Sequence, residues 1–193
     1  MMKRSSRVAI AILGAAAFTL AGCREEQVDA EAFPDLQSCT KAAQSGGMFS
    51  VQECDAAFAE AKTLHVEAAP RYDSLTVCEE QHGAGACGPE AATTQGGSGG
   101  IFMPLMMGYL IGSMLGGRTG AAASQPLYKT ANGQYTNAAR SSTFSNNAGA
   151  AKLGSSQFVR PPATFGKPPM SSATAMSRGG FGNAGAGRTG LGG

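Results

Sequence analysis

The sequence contains no tryptophan and, after Glu90, no aspartate or glutamate. Only 15% of its 193 residues are charged, whereas 28 are glycine. Much of the hydrophobic content is alanine, which buries little area, so a large conventional core is not expected. The chain also lacks a Cys-x-x-Cys motif, which argues against thioredoxin-like redox chemistry. No Ser–His–Asp set and no pair of carboxylates stands out, so the sequence predicts a protein that is not an enzyme.

Charge is divided unevenly along the chain. Residues 24–90 carry thirteen acidic and four basic side chains, a balance of −9. Residues 91–193 carry eight basic side chains and no acidic one, a balance of +8. Such halves either attract each other or leave the basic half to bind an anionic surface. The plainer alternative is that sparse charges keep a loose tail soluble.

The N-terminus has the features of an export signal. A positive start (Lys3, Arg4 and Arg7) precedes the apolar residues 8–20, a stretch shorter than the roughly 20 residues that span a bilayer. Small residues then lead to Cys23, as in a bacterial lipobox, whose thiol takes the lipid. We expect a signal peptide over residues 1–22 and a lipidated tether over residues 23–30, with palmitate among its acyl chains. The alternatives are an ordinary secretory signal with a chance cysteine, or a retained membrane helix.

The residue after the lipidated cysteine points to a location in the envelope. It is Arg24, whereas an aspartate at this place favours retention in the inner membrane of bacteria. We therefore expect the outer membrane, with the protein facing the periplasm.

Four further cysteines indicate a small domain stabilised by disulfides. An even count in an exported chain favours disulfides, and three pairings are conceivable. Two similar halves favour sequential pairs, Cys39 with Cys54 and Cys78 with Cys87. We expect an all-α domain over residues 31–90, with short helices at residues 35–44 and 74–81. A longer helix begins at a capping box, in which Ser50 and Glu53 cap each other, and ends before Pro70.

A metal site is the competing interpretation of these cysteines. Cys78, His82 and Cys87, with Cys54 or His65, offer the ligand types that zinc prefers, but their spacing matches no standard zinc motif. Disulfides are favoured in an oxidising compartment, so no metal and no cofactor are predicted apart from the lipid on Cys23. The two histidines are expected on helix surfaces.

An apolar segment follows a Gly/Thr/Ser linker at residues 91–100. Residues 101–117 are rich in methionine and glycine, and Gly108, Gly112 and Gly116 lie four apart. In a helix this spacing places the glycines on one face, where two helices approach closely. We expect a short helix that self-associates or inserts into a membrane surface. The alternative is a helix packed against the cysteine domain.

The remaining residues, 118–193, are expected to form a disordered basic tail. They are mostly Gly, Ala, Ser, Thr, Asn and Pro, which bury too little apolar area to offset the entropy of ordering. Residues 178–182 are similar to the Arg-Gly-Gly segments that bind RNA. An exported protein meets little RNA, so no nucleic acid is expected, and an anionic envelope component or a protein partner is favoured.

The whole chain resembles the YgiB family of proteobacterial lipoproteins, also known as the UPF0441 or DUF1190 type. The resemblance is carried by the lipobox at Cys23, the four-cysteine pattern, and the motifs at residues 102–106, 108–109, 125–127 and 177–182. The family has no established activity. Its members are commonly encoded beside an ATP-grasp protein that is similar to glutathionylspermidine synthase, which implies a shared pathway.

These observations lead to a non-enzymatic envelope lipoprotein that works by binding or scaffolding at the membrane. A second hypothesis is a membrane-active oligomer assembled through Gly108, Gly112 and Gly116. A third is a metal-binding or redox protein of the envelope.

Overall fold

A computed structural model describes residues 26–90, 100–113 and 123–177. Its elements, in chain order, are β1 (Gln27–Phe33), α1 (Leu36–Gln44), α2 (Val51–Ala68), α3 (Leu75–His82), β2 (Cys87–Pro89), β3 (Phe102–Pro104), β4 (Met106–Gly112), β5 (Ala123–Lys129), β6 (Tyr135–Asn137), β7 (Thr143–Phe144), β8 (Gly149–Gly154), a 3-10 helix (Ser155–Phe158) and α4 (Ser172–Ser177). None of the helices in this described part combines the length and the apolar character needed to cross a membrane.

The prediction of an all-α fold is wrong. Six strands form an antiparallel sheet in the order β7-β6-β5-β4-β1-β8, and β2 pairs with β3 in a second, two-stranded sheet. The sheet begins at Gln27, inside the segment predicted to be a tether. Because β1 pairs with both β4 and β8, the N-terminal part of the fold depends on partners more than 70 residues away along the chain.

The three helices of the cysteine region lie where their capping signals place them. Asp35 caps α1 and Ser74 caps α3, each accepting a hydrogen bond from a backbone N–H of the first turn. At α2, Ser50 and Glu53 form the predicted capping box. These helix starts are therefore confirmed.

The apolar segment predicted to be a Gly-rich helix forms β3 and β4 instead. Side chains of β4 alternate between the two faces of the sheet, as a strand requires. Tyr109 and Ile111 pack in one cluster with the α2 residues Ala57 and Ala61, whereas Leu110 packs in a second cluster on the opposite face. A strand that is buried on both sides gives a continuous apolar run, and this produced the wrong assignment.

The tail was predicted to be disordered, which is also wrong for most of its length. Residues 123–177 supply four of the six strands of the main sheet, the 3-10 helix and α4. The ring of Phe158, in the 3-10 helix, completes the cluster that covers the second face of the sheet. Residues 178–193, with the Arg-Gly-Gly motif, lie outside the described residues.

Candidate functional site

Both disulfides are present in the pairing that the two similar halves favoured. Cys39 and Cys54 join α1 to α2, and Cys78 and Cys87 join α3 to β2. Their sulfur atoms are bonded to each other and do not offer thiolates to a metal. Within the described ranges, no three side chains among histidine, cysteine, aspartate and glutamate come together where they could hold a metal ion.

Gly108 and Gly112 lie in a strand and not on one face of the predicted helix. In β4, a Cβ added to Gly108 would lie 2.8 Å from the Phe33 carbonyl oxygen, and one added to Gly112 would lie 2.6 Å from the Phe158 ring. These glycines thus admit close packing inside one molecule instead of between two helices. Gly116 and the predicted lipidation site, Cys23, lie outside the described residues.

His82 lies in a buried chain of hydrogen bonds, contrary to its predicted place on a helix surface. Its Nδ1 lies 2.7 Å from the Lys129 carbonyl oxygen, which only accepts, so Nδ1 carries the ring hydrogen. Nε2 therefore accepts from the Tyr72 hydroxyl at 2.9 Å. The Tyr72 oxygen in turn accepts from Nη2 of Arg140 at 3.1 Å. This chain of hydrogen bonds holds the Arg140 guanidinium against buried side chains.

Burial keeps the His82 and Tyr72 side chains neutral. It lowers the pKa of His82 to about 4; the hydrogen bond to the Lys129 carbonyl opposes this, and the Arg140 charge adds to it. It raises the pKa of Tyr72 to about 12, so the hydroxyl keeps its proton. His82 and Tyr72 also meet edge to face, with ring centroids 5.6 Å apart.

His65 is the second buried histidine, and its Nδ1 lies 3.1 Å from the Tyr128 hydroxyl. Burial and then the Arg71 charge lower its pKa to about 4. An unfolded imidazole takes up a proton below about pH 6.5, whereas the folded one does so only near pH 4. The unfolded state thus binds more protons between these values, and stability falls as pH drops from 6.5 toward 4.

The guanidinium of Arg71 is buried and makes several hydrogen bonds within the protein. Its Nε donates to Glu90 at 2.6 Å, and both side chains are at least 95% buried. Its other nitrogens donate to the carbonyls of Val66 and Ala69 and to the Thr164 hydroxyl. This ion pair joins the segment after α2 to the residue that follows β2, and the guanidinium lies 5.2 Å from the ring centroid of Phe165.

Arg71, Arg140 and Thr164 line part of a cavity of about 730 Å³. Its walls come from the end of α2 with the nearby Pro70 and Arg71, the loop after β6, the loop at residues 162–170, and α4. The lining residues are Ala68, Pro70, Arg71, Ala138, Ala139, Arg140, Pro162, Thr164, Lys167, Pro168, Pro169, Met170 and Thr174. Segments about a hundred residues apart therefore build the cavity together.

The loop at residues 162–170 is tied to the end of α2 by backbone hydrogen bonds. The amides of Thr164 and Phe165 donate to the Glu67 carbonyl at 2.8 and 3.0 Å. The Met170 amide donates to the Arg71 carbonyl at 2.7 Å. These hydrogen bonds fix the loop at two places, so the wall that it forms is held by the backbone of the fold.

The cationic residues of the cavity lie in no local sequence motif that would mark them as a site. Arg71 lies in the cysteine region, while Arg140 and Lys167 lie in the segment predicted to be disordered. The available signal was the absence of acidic residues after Glu90, which leaves basic side chains of that half without nearby carboxylates in sequence.

Comparison with known proteins places the chain among proteins without an assigned activity. A family model described as a protein of unknown function (DUF1190) matches residues 27–192. A UPF0441 protein of Klebsiella pneumoniae subsp. pneumoniae is 32% identical over 188 residues, covering 90% of this chain and 78% of the relative. A UPF0441 protein of Pectobacterium atrosepticum is 33% identical over 194 residues, covering 93% and 81%. No solved structure matches the chain.

Proposed function

We propose that this chain, which belongs to the DUF1190 family, is a non-enzymatic lipoprotein of the bacterial cell envelope that binds a ligand in its cavity. The observation that carries the binding role is the cavity of about 730 Å³ whose walls are fixed by hydrogen bonds. This volume falls in the range of roughly 300–1,000 Å³ found for small-molecule sites.

The non-enzymatic part of the proposal rests on how the candidate acid–base groups are used. The ring nitrogens of His82 contact Lys129 and Tyr72, and the side chain is 1% exposed. A general base must reach the proton that it removes in a bound substrate. His65 is also buried, 7% exposed, with its Nδ1 on Tyr128. These histidines therefore support a structural role.

The envelope part of the proposal rests on the N-terminal sequence. At roughly 0.8 kcal/mol per buried methylene, two or more acyl chains on Cys23 would hold the protein at a membrane essentially permanently. Arg24 favours the outer membrane as the destination. A link to the pathway of an ATP-grasp protein similar to glutathionylspermidine synthase follows from the family resemblance.

Replacing Cys23 with alanine tests the anchor. We expect the variant to lose palmitate labelling and to be released from membranes or to accumulate as a precursor. Arg24→Asp is the matched variant: it should keep the label and move the protein to the inner membrane. Normal palmitate incorporation into the Cys23→Ala protein would contradict the anchor.

Filling the cavity tests the binding role. Ala139 lines the cavity and is exposed, and Ala139→Trp should occupy the space. Ala56, which is exposed on α2, provides the control Ala56→Trp. Native mass spectrometry of the lipidated chains should detect a bound species in the wild type and the control but not in Ala139→Trp. Equal occupancy in all three proteins would contradict binding in the cavity.

A further inference from the structure

We infer that the cavity takes an organic anion, with a carboxylate or phosphate group joined to an apolar body. This inference rests on the proposed function, since it names the class of ligand for the same cavity. It is carried by the charge of the lining residues, the way in which Arg140 is fixed, and the apolar remainder of the wall.

The described side chains that line the cavity include basic residues and no acidic one. Three of the lining residues are basic (Arg71, Arg140 and Lys167), and none of those described is aspartate or glutamate. The charge of Arg71 is offset by its buried partner Glu90, and Arg140 and Lys167 are the other two basic residues of the lining. From residue 91 onward the sequence has no aspartate or glutamate.

The backbone of Arg140 has an unfavourable conformation, and its side chain is held by buried groups. It is the single non-glycine residue with a positive φ, 56°, in the part of the chain that the structure describes. Such conformations persist where the surrounding structure determines them, and they concentrate at binding and active sites. The chain from the Lys129 carbonyl through His82 and Tyr72 then holds the guanidinium at the cavity wall. A guanidinium held in this way recognises carboxylate or phosphate with little loss of conformational freedom.

Lys167 comes to the same cavity through a tight turn. Its amide donates to the Thr164 carbonyl at 3.1 Å, and Gly166 within this turn has a φ of 74°. The ammonium side chain is exposed, so it suits a ligand that enters from solvent or from a membrane surface.

The rest of the wall favours an apolar ligand body. Four lining residues are prolines (Pro70, Pro162, Pro168 and Pro169), which have no backbone N–H to donate. Ala138, Ala139 and Met170 add further apolar surface. The Thr164 hydroxyl already lies between the Arg71 guanidinium and the Ala69 carbonyl. An inorganic anion would leave this surface uncovered, whereas an anion on an apolar body would cover it.

The inference is tested with 1-naphthyl phosphate and the full lipidated chain held in phosphatidylcholine nanodiscs, with protein-free discs as the blank. Isothermal titration should detect binding of 1-naphthyl phosphate and much weaker binding of inorganic phosphate or of neutral 1-naphthol. Lys167→Gln and Arg140→Gln should each raise the dissociation constant roughly ten-fold, as expected for loss of one charge-assisted hydrogen bond. Arg140→Lys, which keeps the charge, should lose less.

Lys62→Gln is the matched control, because it removes another exposed cation, on α2 and outside the cavity lining. Lys167→Gln is decisive because an exposed side chain is replaced and the fold is kept. Equal affinity of this variant and wild type, equal binding of 1-naphthol and 1-naphthyl phosphate, or no binding of 1-naphthyl phosphate would each overturn the inference. A neutral species displaced by Ala139→Trp would keep the binding role and exclude the anion.

A second titration distinguishes the sources of such a ligand. If the anion is a lipid headgroup, nanodiscs that contain phosphatidylglycerol should compete with 1-naphthyl phosphate. If it is a soluble compound, the lipid composition should not change the affinity. Either result is consistent with an organic anion.

Discussion

Replacing Gly112 with alanine should destabilise the fold, because the added methyl group would collide with the Phe158 ring. A Cβ at this position would lie 2.6, 2.7 and 2.8 Å from three ring carbon atoms. Favourable carbon–carbon contacts lie at about 3.5–4.0 Å, so the ring or the strand must move by nearly an ångström. Phe158 is 7% exposed and packs in a cluster with Val28 and Leu110. We expect a loss of about 1–3 kcal/mol in the free energy of unfolding, typical of overpacking.

The measurement is urea unfolding of the full chain, followed by far-ultraviolet circular dichroism because the protein has no tryptophan. Gly88→Ala in β2 is the matched control. Its added Cβ would lie 3.4 Å from a Leu105 methyl carbon, an ordinary contact, and Gly88 has no left-handed φ. We expect that change to stay within about 0.5 kcal/mol of wild type.

A double-mutant cycle separates the collision from other effects of the substitution. Phe158→Ala alone should cost about 3–5 kcal/mol, because it removes a buried ring. In that background Gly112→Ala should be neutral or stabilising by up to about 1 kcal/mol, since alanine suits a strand better than glycine. Additive costs in the double variant would refute the proposed packing and reopen the question of what Gly112 contacts.

Three further outcomes are expected. Replacing both cysteines of Cys39–Cys54 by serine should lower the free energy of unfolding by about 3 kcal/mol, because the bridge spans 15 residues. The same change at Cys78–Cys87, which spans 9 residues, should lower it by about 2.5 kcal/mol. Four free thiols on alkylation of the native protein would contradict this. Lowering the pH from 7.5 to 5 should reduce stability by on the order of 1–2 kcal/mol for each buried histidine, and His82→Gln should make the dependence shallower; an unchanged slope would argue against a neutral His82. Arg71→Met should lower the free energy of unfolding by about 3–5 kcal/mol, because it leaves Glu90 buried without its cation. Adding Glu90→Met should restore most of this stability. No recovery in the double variant would show that the two side chains are not coupled.

The helices could be predicted because their signals are local. Asp35, Ser50 and Ser74 each place a side-chain acceptor beside the free N–H groups of a first turn. Such an interaction depends on the three or four residues that follow and on little else. The disulfide pairing was also accessible, because two similar halves suggested that each pair closes within its own half.

The strand β4 was missed because its two signals are ambiguous. Its apolar residues are continuous, and a run buried on both faces has no alternation to distinguish it from a buried helix. The spacing between Gly108 and Gly112 suggested a helix face, but four residues is also a multiple of the two-residue repeat of a strand. The surfaces that surround these glycines, Phe33 and Phe158, come from distant parts of the chain.

The order of the tail could not be predicted from its composition. β8 (Gly149–Gly154) has only partly buried or exposed residues, and by itself it buries too little area to be stable. It is held by pairing with β1 along six residues, and its Lys152 forms an ion pair with Asp29. Pairing between segments more than a hundred residues apart leaves no mark in a local window of the sequence.

The separation of charge along the chain acquires a different meaning once the fold is known. The basic half was expected to be a tail that binds either the acidic half or an anionic surface. In the structure it interleaves with the acidic half: Lys152 pairs with Asp29, and Arg160 pairs with Glu67. At the cavity, by contrast, residues 138–174 form most of the wall, and they come from the half that contains no carboxylate. Arg140 and Lys167 thus come to the cavity from segments without a carboxylate side chain, and the composition that suggested disorder favours the positive potential that the proposed anion requires.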